Sequence, residues 1–147
     1  MTDIWYDFPS RELSASIHPV IVVDLNGTLD NYAGWTGQYA DYAPLPGTAH
    51  FLHLLSARFK VVVVTAQPDD RLQAVVDWLM FYDLSQYVVA VTNRKIPAIA
   101  YVDDRALCFR GWYAEVLDEL DDFRTWWEQN GHADGPSPDQ KSRLGLG

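Results

Sequence analysis

The chain has 147 residues, of which 48% are hydrophobic, with six Trp, eight Tyr and six Phe; this is enough apolar material for one continuous core and excludes a disordered class. Eleven basic residues against twenty acidic ones give a formal charge of −9, which repels phosphate backbones and anionic lipids and argues against nucleic-acid or membrane partners. No apolar run approaches the roughly 20 residues of a membrane span. The single cysteine, Cys108, makes neither an internal disulfide nor a zinc cluster. Residues 1–19 lack the basic start and apolar stretch of a signal peptide, so a cytoplasmic location is expected.

Residues 1–16 read as an N-terminal extension whose Trp5, Tyr6 and Phe8 are expected to pack on the domain that follows, residues 17–130. Val20–Val23 is the first of four short apolar runs; Val61–Val64, Val88–Val91 and Ala98–Val102 are the others. Each is largely β-branched and apolar on consecutive positions, the pattern of a strand covered on both faces. Between the first two runs, Phe51, Leu54, Leu55 and Phe59 make a helical stripe, with Thr48 expected as its N-cap after Pro46-Gly47. Leu72, Val75, Val76 and Leu79 make a second stripe. Ala106–Phe109 is expected to form a fifth strand with Cys108 buried in it. Tyr113, Val116, Leu117, Leu120 and Trp127 make a third helical stripe, backed by a solvated face of Glu115, Asp118, Glu119, Asp121 and Asp122. Residues 131–147, rich in Gly, Pro and Ser, are expected to be a mobile tail.

Strands alternating with helices predict an α/β fold with a mainly parallel sheet and ligands at the carboxyl ends of its strands. The residues at those ends carry chemistry. The first run ends in Asp24-Leu25-Asn26-Gly27-Thr28, the second in Thr65, and the fourth in Asp103-Asp104, while Lys95 follows the third. Carboxylates suit a magnesium ion, an ammonium and a hydroxyl suit phosphoryl oxygens, and an ionised Asp can attack phosphorus. Taken singly, such carboxylates are often no more than caps on the following turn. His50 and His53, three apart on a helix and without a third ligand nearby, do not make a metal site by themselves.

The ordered set Asp24-x-Asn26-Gly27-Thr28, Thr65, Lys95 and Asp103-Asp104 resembles the four motifs of the haloacid dehalogenase superfamily over residues 20–110. The stretch Tyr101-Val102-Asp103-Asp104-Arg105 is also similar to the fourth motif of small deoxynucleotidase-like members. The resemblance implies a three-layer Rossmann-like fold and a magnesium-dependent phosphomonoester phosphatase working through an aspartyl phosphate. It implies Asp24 as nucleophile and Lys95 as the cation holding both that carboxylate and the phosphoryl group. Thr65, Gly27, Thr28 and Ala66 take phosphate-contacting positions. The metal positions are Asp24, the Asn26 carbonyl, Asp103 and, in support, Asp104.

Asn26 departs from the family pattern, which has an acid/base Asp there. An amide keeps the size but exchanges no proton at neutral pH, and losing such a group forfeits ~10²–10⁴-fold in rate. Three readings stay open: an impaired or specialised enzyme, a non-catalytic relative that binds a phosphorylated ligand or protein partner, and an Asp-to-Asn exchange that traps an intermediate. Neither residues 29–45 nor residues 65–95 leave room for a cap domain. The site is therefore expected to be open, suited to a larger substrate or closed by a neighbouring subunit of a homo-oligomer. Tyr32, Trp35, Tyr39 and Tyr42 lie on the loop after the first motif. They either stack on a ring of a phosphorylated small molecule, a nucleotide being the candidate, or pack as a hairpin flap; the flap is the favoured expectation.

Overall fold

A computed structural model describes residues 18–129. The expectations for the N-terminal extension and for the tail at 131–147 lie outside the described residues. Four parallel strands, β1 (Val20–Asp24), β2 (Lys60–Val64), β3 (Val88–Thr92) and β4 (Ala100–Val102), lie in the order β3-β2-β1-β4. Helix α1 (Thr48–Ser56) connects β1 to β2, and a 3-10 turn with helix α2 (Leu72–Phe81) connects β2 to β3. Helices α3 (Tyr113–Asp121) and α4 (Trp126–Gln129) follow β4. The fold is thus α/β and Rossmann-like, and no helix among the described residues is long and apolar enough to cross a membrane.

The alternation of side chains along each strand divides the core in two. Ile21 and Val23 of β1, with Val61 and Val63 of β2, face Leu52 of α1 and Leu72, Val75, Val76 and Leu79 of α2. Val20, Val22, Val62 and Ala90 face the other way and pack with Ile96 and Ala98 of the β3–β4 connection. Runs apolar on every position are therefore required in β1, β2 and β3, as expected of strands covered on both faces.

Four expectations are corrected. Helix α1 turns Leu52 inward, while Phe51 and Leu54 are exposed, and only Leu55 and Phe59 of the expected stripe touch the core. Its N-cap is Gly47, whose φ of 86° is a left-handed conformation suited to glycine. Thr48 is instead the first helical residue, and its hydroxyl donates to the Leu29 carbonyl at 2.9 Å. Strand β4 is an edge strand with its first two residues exposed, and residues 106–109 form no strand beside it, so Cys108 is exposed. Helix α3 forms where its periodicity places it, yet it buries no residue: Tyr113, Leu117 and Leu120 are exposed along with the acidic face.

Candidate active site

Strand register assembles the rim. Asp24 pairs with Val64, Val64 with Thr92, and Val23 with Val102, so Asp103 follows β4 at the level of Asp24 on β1. Beyond Asp24 the chain turns sharply. The amides of Thr28, Leu29 and Asp30 all donate to the Leu25 carbonyl at 3.2, 2.9 and 3.2 Å. Leu25 and Leu29 are buried and pin this turn to the core. Gly27 holds φ +82°, and a Cβ there would collide with the Asp104 carboxylate and lie 2.8 Å from Trp127 Nε1. Only glycine lets the turn approach Asp104 this closely.

Asp24, Asp103 and Asp104 each offer an oxygen within 4.8 Å of the others. Burial, then the charges of Asp103 and Asp104, push the Asp24 carboxyl up to about 8; Thr28 acts the other way, its hydroxyl donating to Asp24 Oδ2 at 3.3 Å. Three hard oxygen ligands this close, whose mutual repulsion the hydrogen bonds around them only partly offset, suit a divalent cation such as magnesium. Asp103 is also held from its own turn, since the Arg105 amide donates to its Oδ1 at 2.7 Å.

Asn26 is fixed at both ends of its amide. Its Nδ2 donates to Asp30 Oδ2 at 2.7 Å, and its Oδ1 accepts from Gln67 Nε2 at 3.0 Å. Arg71 Nε in turn donates to Gln67 Oε1 at 3.1 Å. Asp30 is buried and also accepts from the Gly27 and Tyr32 amides at 2.9 and 3.1 Å. Burial outweighs these three hydrogen bonds and raises the Asp30 carboxyl to about 6. It braces the turn and does not face the cavity beside Asp24.

A cavity of about 380 Å³ opens over Asp24 and Asn26. Ala66 and Gln67 form one side, Asp103, Asp104 and Arg105 another, and the loop of residues 30–44 supplies Tyr32, Trp35, Tyr39 and Tyr42. That loop closes at its base through the Asp30–Pro44 bridge and the Asn31 amide on the Ala43 carbonyl at 2.9 Å. Its aromatics divide into two pairs. Tyr32 meets Tyr42 edge-on at 5.5 Å and Trp127 at 5.4 Å, while Trp35 meets Tyr39 at 5.0 Å. The first pair packs as the flap reading expects; the second is exposed, at 59% for Trp35 and 45% for Tyr39.

Two expected phosphate contacts stand elsewhere. Lys95 is exposed, its ammonium 5.9 Å from the centre of the Tyr101 ring, and it makes no ion pair with Asp24. The β3–β4 connection carries it past the rim, and the cavity's own cation is Arg105. The Thr65 hydroxyl is buried and accepts from the Gln67 amide at 3.2 Å, shaping the turn that presents Ala66 and Gln67.

Three participants were not assigned to the rim from the sequence, although Trp127 was expected in the third apolar stripe and is indeed buried. Trp126 Nε1 donates to the Gly27 carbonyl at 2.6 Å, and Trp127 Nε1 donates to Asp104 Oδ2 at 2.7 Å. Gln67 orients Asn26, and its place three residues past the end of β2 and just before Pro68 was its one sequence signal. Nothing in the sequence tied the tryptophans to the rim, because they reach it from a distant helix.

No family model and no curated protein matches the chain. A conserved protein of known structure from Bacteroides thetaiotaomicron is similar to it at 17% identity, over 76% of this chain and 97% of that one, with a TM-score of 0.49. The functional reading rests on the geometry of the rim.

Proposed function

We propose that the protein is a magnesium-dependent phosphomonoester hydrolase of the haloacid-dehalogenase type, with Asp24 as nucleophile. The observation that carries this reading is the trio Asp24, Asp103 and Asp104, whose oxygens lie within 4.8 Å at the carboxyl ends of β1 and β4 and open onto a cavity. The trio and the Asn26 carbonyl would hold the magnesium ion, which would neutralise the crowded carboxylates and the phosphoryl oxygens. An Asp24 oxygen attacks phosphorus, the Asp24 O–P bond forms, and the ester P–O bond breaks. Water then attacks the aspartyl phosphate, releasing phosphate and restoring Asp24. Arg105 faces the phosphoryl group from the cavity wall, the role the resemblance gives to Lys95. Asn26 donates a hydrogen bond and moves no proton, so turnover favours substrates whose alcohol leaves as a weak base.

One observation favours a second reading, a phosphate-ester binding protein without turnover. Asn26 already donates to Asp30 and accepts from Gln67, and among the described residues no lysine stands against Asp24. Phosphate release from an aryl phosphate, with and without magnesium, separates the two. Turnover that requires magnesium and disappears in Asp24→Asn supports the hydrolase. Magnesium-dependent binding without any release supports the binding protein.

A further inference from the structure

The exposed pair Trp35–Tyr39 is unusual in its placement. Large aromatic rings gain most when buried, and these two lie side by side in solvent on the wall of the cavity that holds Asp24. Their neighbours on the same loop, Tyr32 and Tyr42, are accounted for by packing, and the Tyr42 carbonyl is anchored by Trp78 Nε1 at 2.7 Å. The pair is also tied to the reacting end. The Arg71 guanidinium lies 5.3 Å from the Tyr39 ring, donates to Gln67, and faces Asp41 at 3.7 Å; Gln67 holds Asn26 beside Asp24. A continuous path of side chains therefore runs from Asn26, beside Asp24 on the cavity floor, to the rings.

We infer that Trp35 and Tyr39 form a ring-binding wall, and that the substrate is a phosphate monoester whose alcohol carries a planar aromatic or heteroaromatic ring. This deepens the phosphohydrolase reading and rests on it. With the phosphoryl group at Asp24 and Arg105, the remainder of the ester lies along Gln67 toward the indole and phenol faces. Aromatic faces stack on any flat ring with little regard to its hydrogen-bonding edge. The cavity volume of about 380 Å³ sits at the small end of ligand sites, the size of one mononucleotide or substituted aryl phosphate and too small for a polymer. The acidic surface, at −9 overall, also disfavours a polyanionic chain.

The test is calorimetric binding with magnesium present, using a nucleoside 5′-monophosphate, phenyl phosphate, glycerol 3-phosphate and a free nucleoside, on the parent chain and on Trp35→Ala, Tyr39→Ala and Trp35→Phe. Ring-bearing esters should bind ~10-fold or more tightly than glycerol 3-phosphate. Either alanine variant should shrink that ratio, and Trp35→Phe should recover most of it. The comparison of nucleoside monophosphate with phenyl phosphate tells which kind of ring the wall prefers. Equal binding of ring-bearing and ring-free esters, or a ratio that survives both alanine changes, overturns the ring wall while leaving the phosphate site standing. A free nucleoside that binds as tightly as its monophosphate, indifferent to Asp24→Asn, keeps the wall and removes the phosphate reading. No binding by any of the four overturns both.

Discussion

Asn26 is part of a matched set with Asp30 and Gln67, which changes what its replacement by aspartate would do. The substitution sets a second carboxyl oxygen at the 2.7 Å separation now bridged by an amide hydrogen, next to a buried carboxyl already raised to about 6. The two would share one proton. Asn26→Asp should therefore raise aryl-phosphate turnover by ~10²-fold or more and at the same time cost ~1–3 kcal/mol of stability at neutral pH. Parallel rate measurements and denaturant melts check both halves; a stability equal to that of the parent would show that the amide bridge matters little. Trp127 is the second residue to probe, because its indole N–H holds Asp104 from behind. Trp127→Phe keeps the ring and removes the donor, and magnesium affinity by calorimetry should fall by ~10–100-fold. Unchanged affinity would detach Asp104 from the metal site.

The elements differ in how far they are bound into the body, and mutation should expose the difference. Leu79 of α2 is fully buried in the main core cluster, whereas Leu120 of α3 is 54% exposed. Leu79→Ala should cost ~2–5 kcal/mol, while Leu120→Ala should stay within ~0.5 kcal/mol; equal losses in denaturant titrations would mean that the apolar stripe of α3 is packed after all. This contrast also marks what the sequence conveys. β1, β2 and β3 are legible because burial on both faces demands an unbroken β-branched run. The second stripe is legible because α2 buries every residue of it. The third misleads because periodicity reports which residues could share a face and not whether anything lies against that face. At the rim, Asp24, Asp103 and Asp104 are legible because strand ends in a parallel sheet converge. Lys95 is not, since a few residues of irregular connection decide where its ammonium goes. Trp126 and Trp127 are hidden for a different reason: their bonds to Gly27 and Asp104 close in space, and no spacing along the chain encodes them.

At the scale of the whole molecule, the crowded carboxylates tie stability to pH and to cations. Asp24 is raised from 3.8 to about 8 and Asp30 from 3.8 to about 6. The folded chain therefore holds protons that the unfolded chain has released, and stability falls as pH rises through these windows. Between pH 6 and 8 the slope belongs to Asp24, because Asp30 has already titrated. In a chelator, denaturant unfolding should show less stability at pH 8 than at pH 6. Asp24→Asn should flatten that slope, and millimolar magnesium should raise stability most at the higher pH, where binding has fewer protons to displace from Asp24. A slope unchanged in Asp24→Asn would assign the effect to the overall negative charge.

The hydrogen bond from Trp126 to the Gly27 carbonyl joins residues 99 positions apart, and this has a consequence for how the protein comes into being. During synthesis Asp24 and its turn emerge early, and the sheet can begin to assemble as β2, β3 and β4 follow. The carboxylate trio acquires its final support only when the tryptophans of α4 arrive. A nascent chain that has made all four strands but not this short helix holds Asp104 without the indole donor that orients it, and its hold on a cation should tighten only as the helix docks.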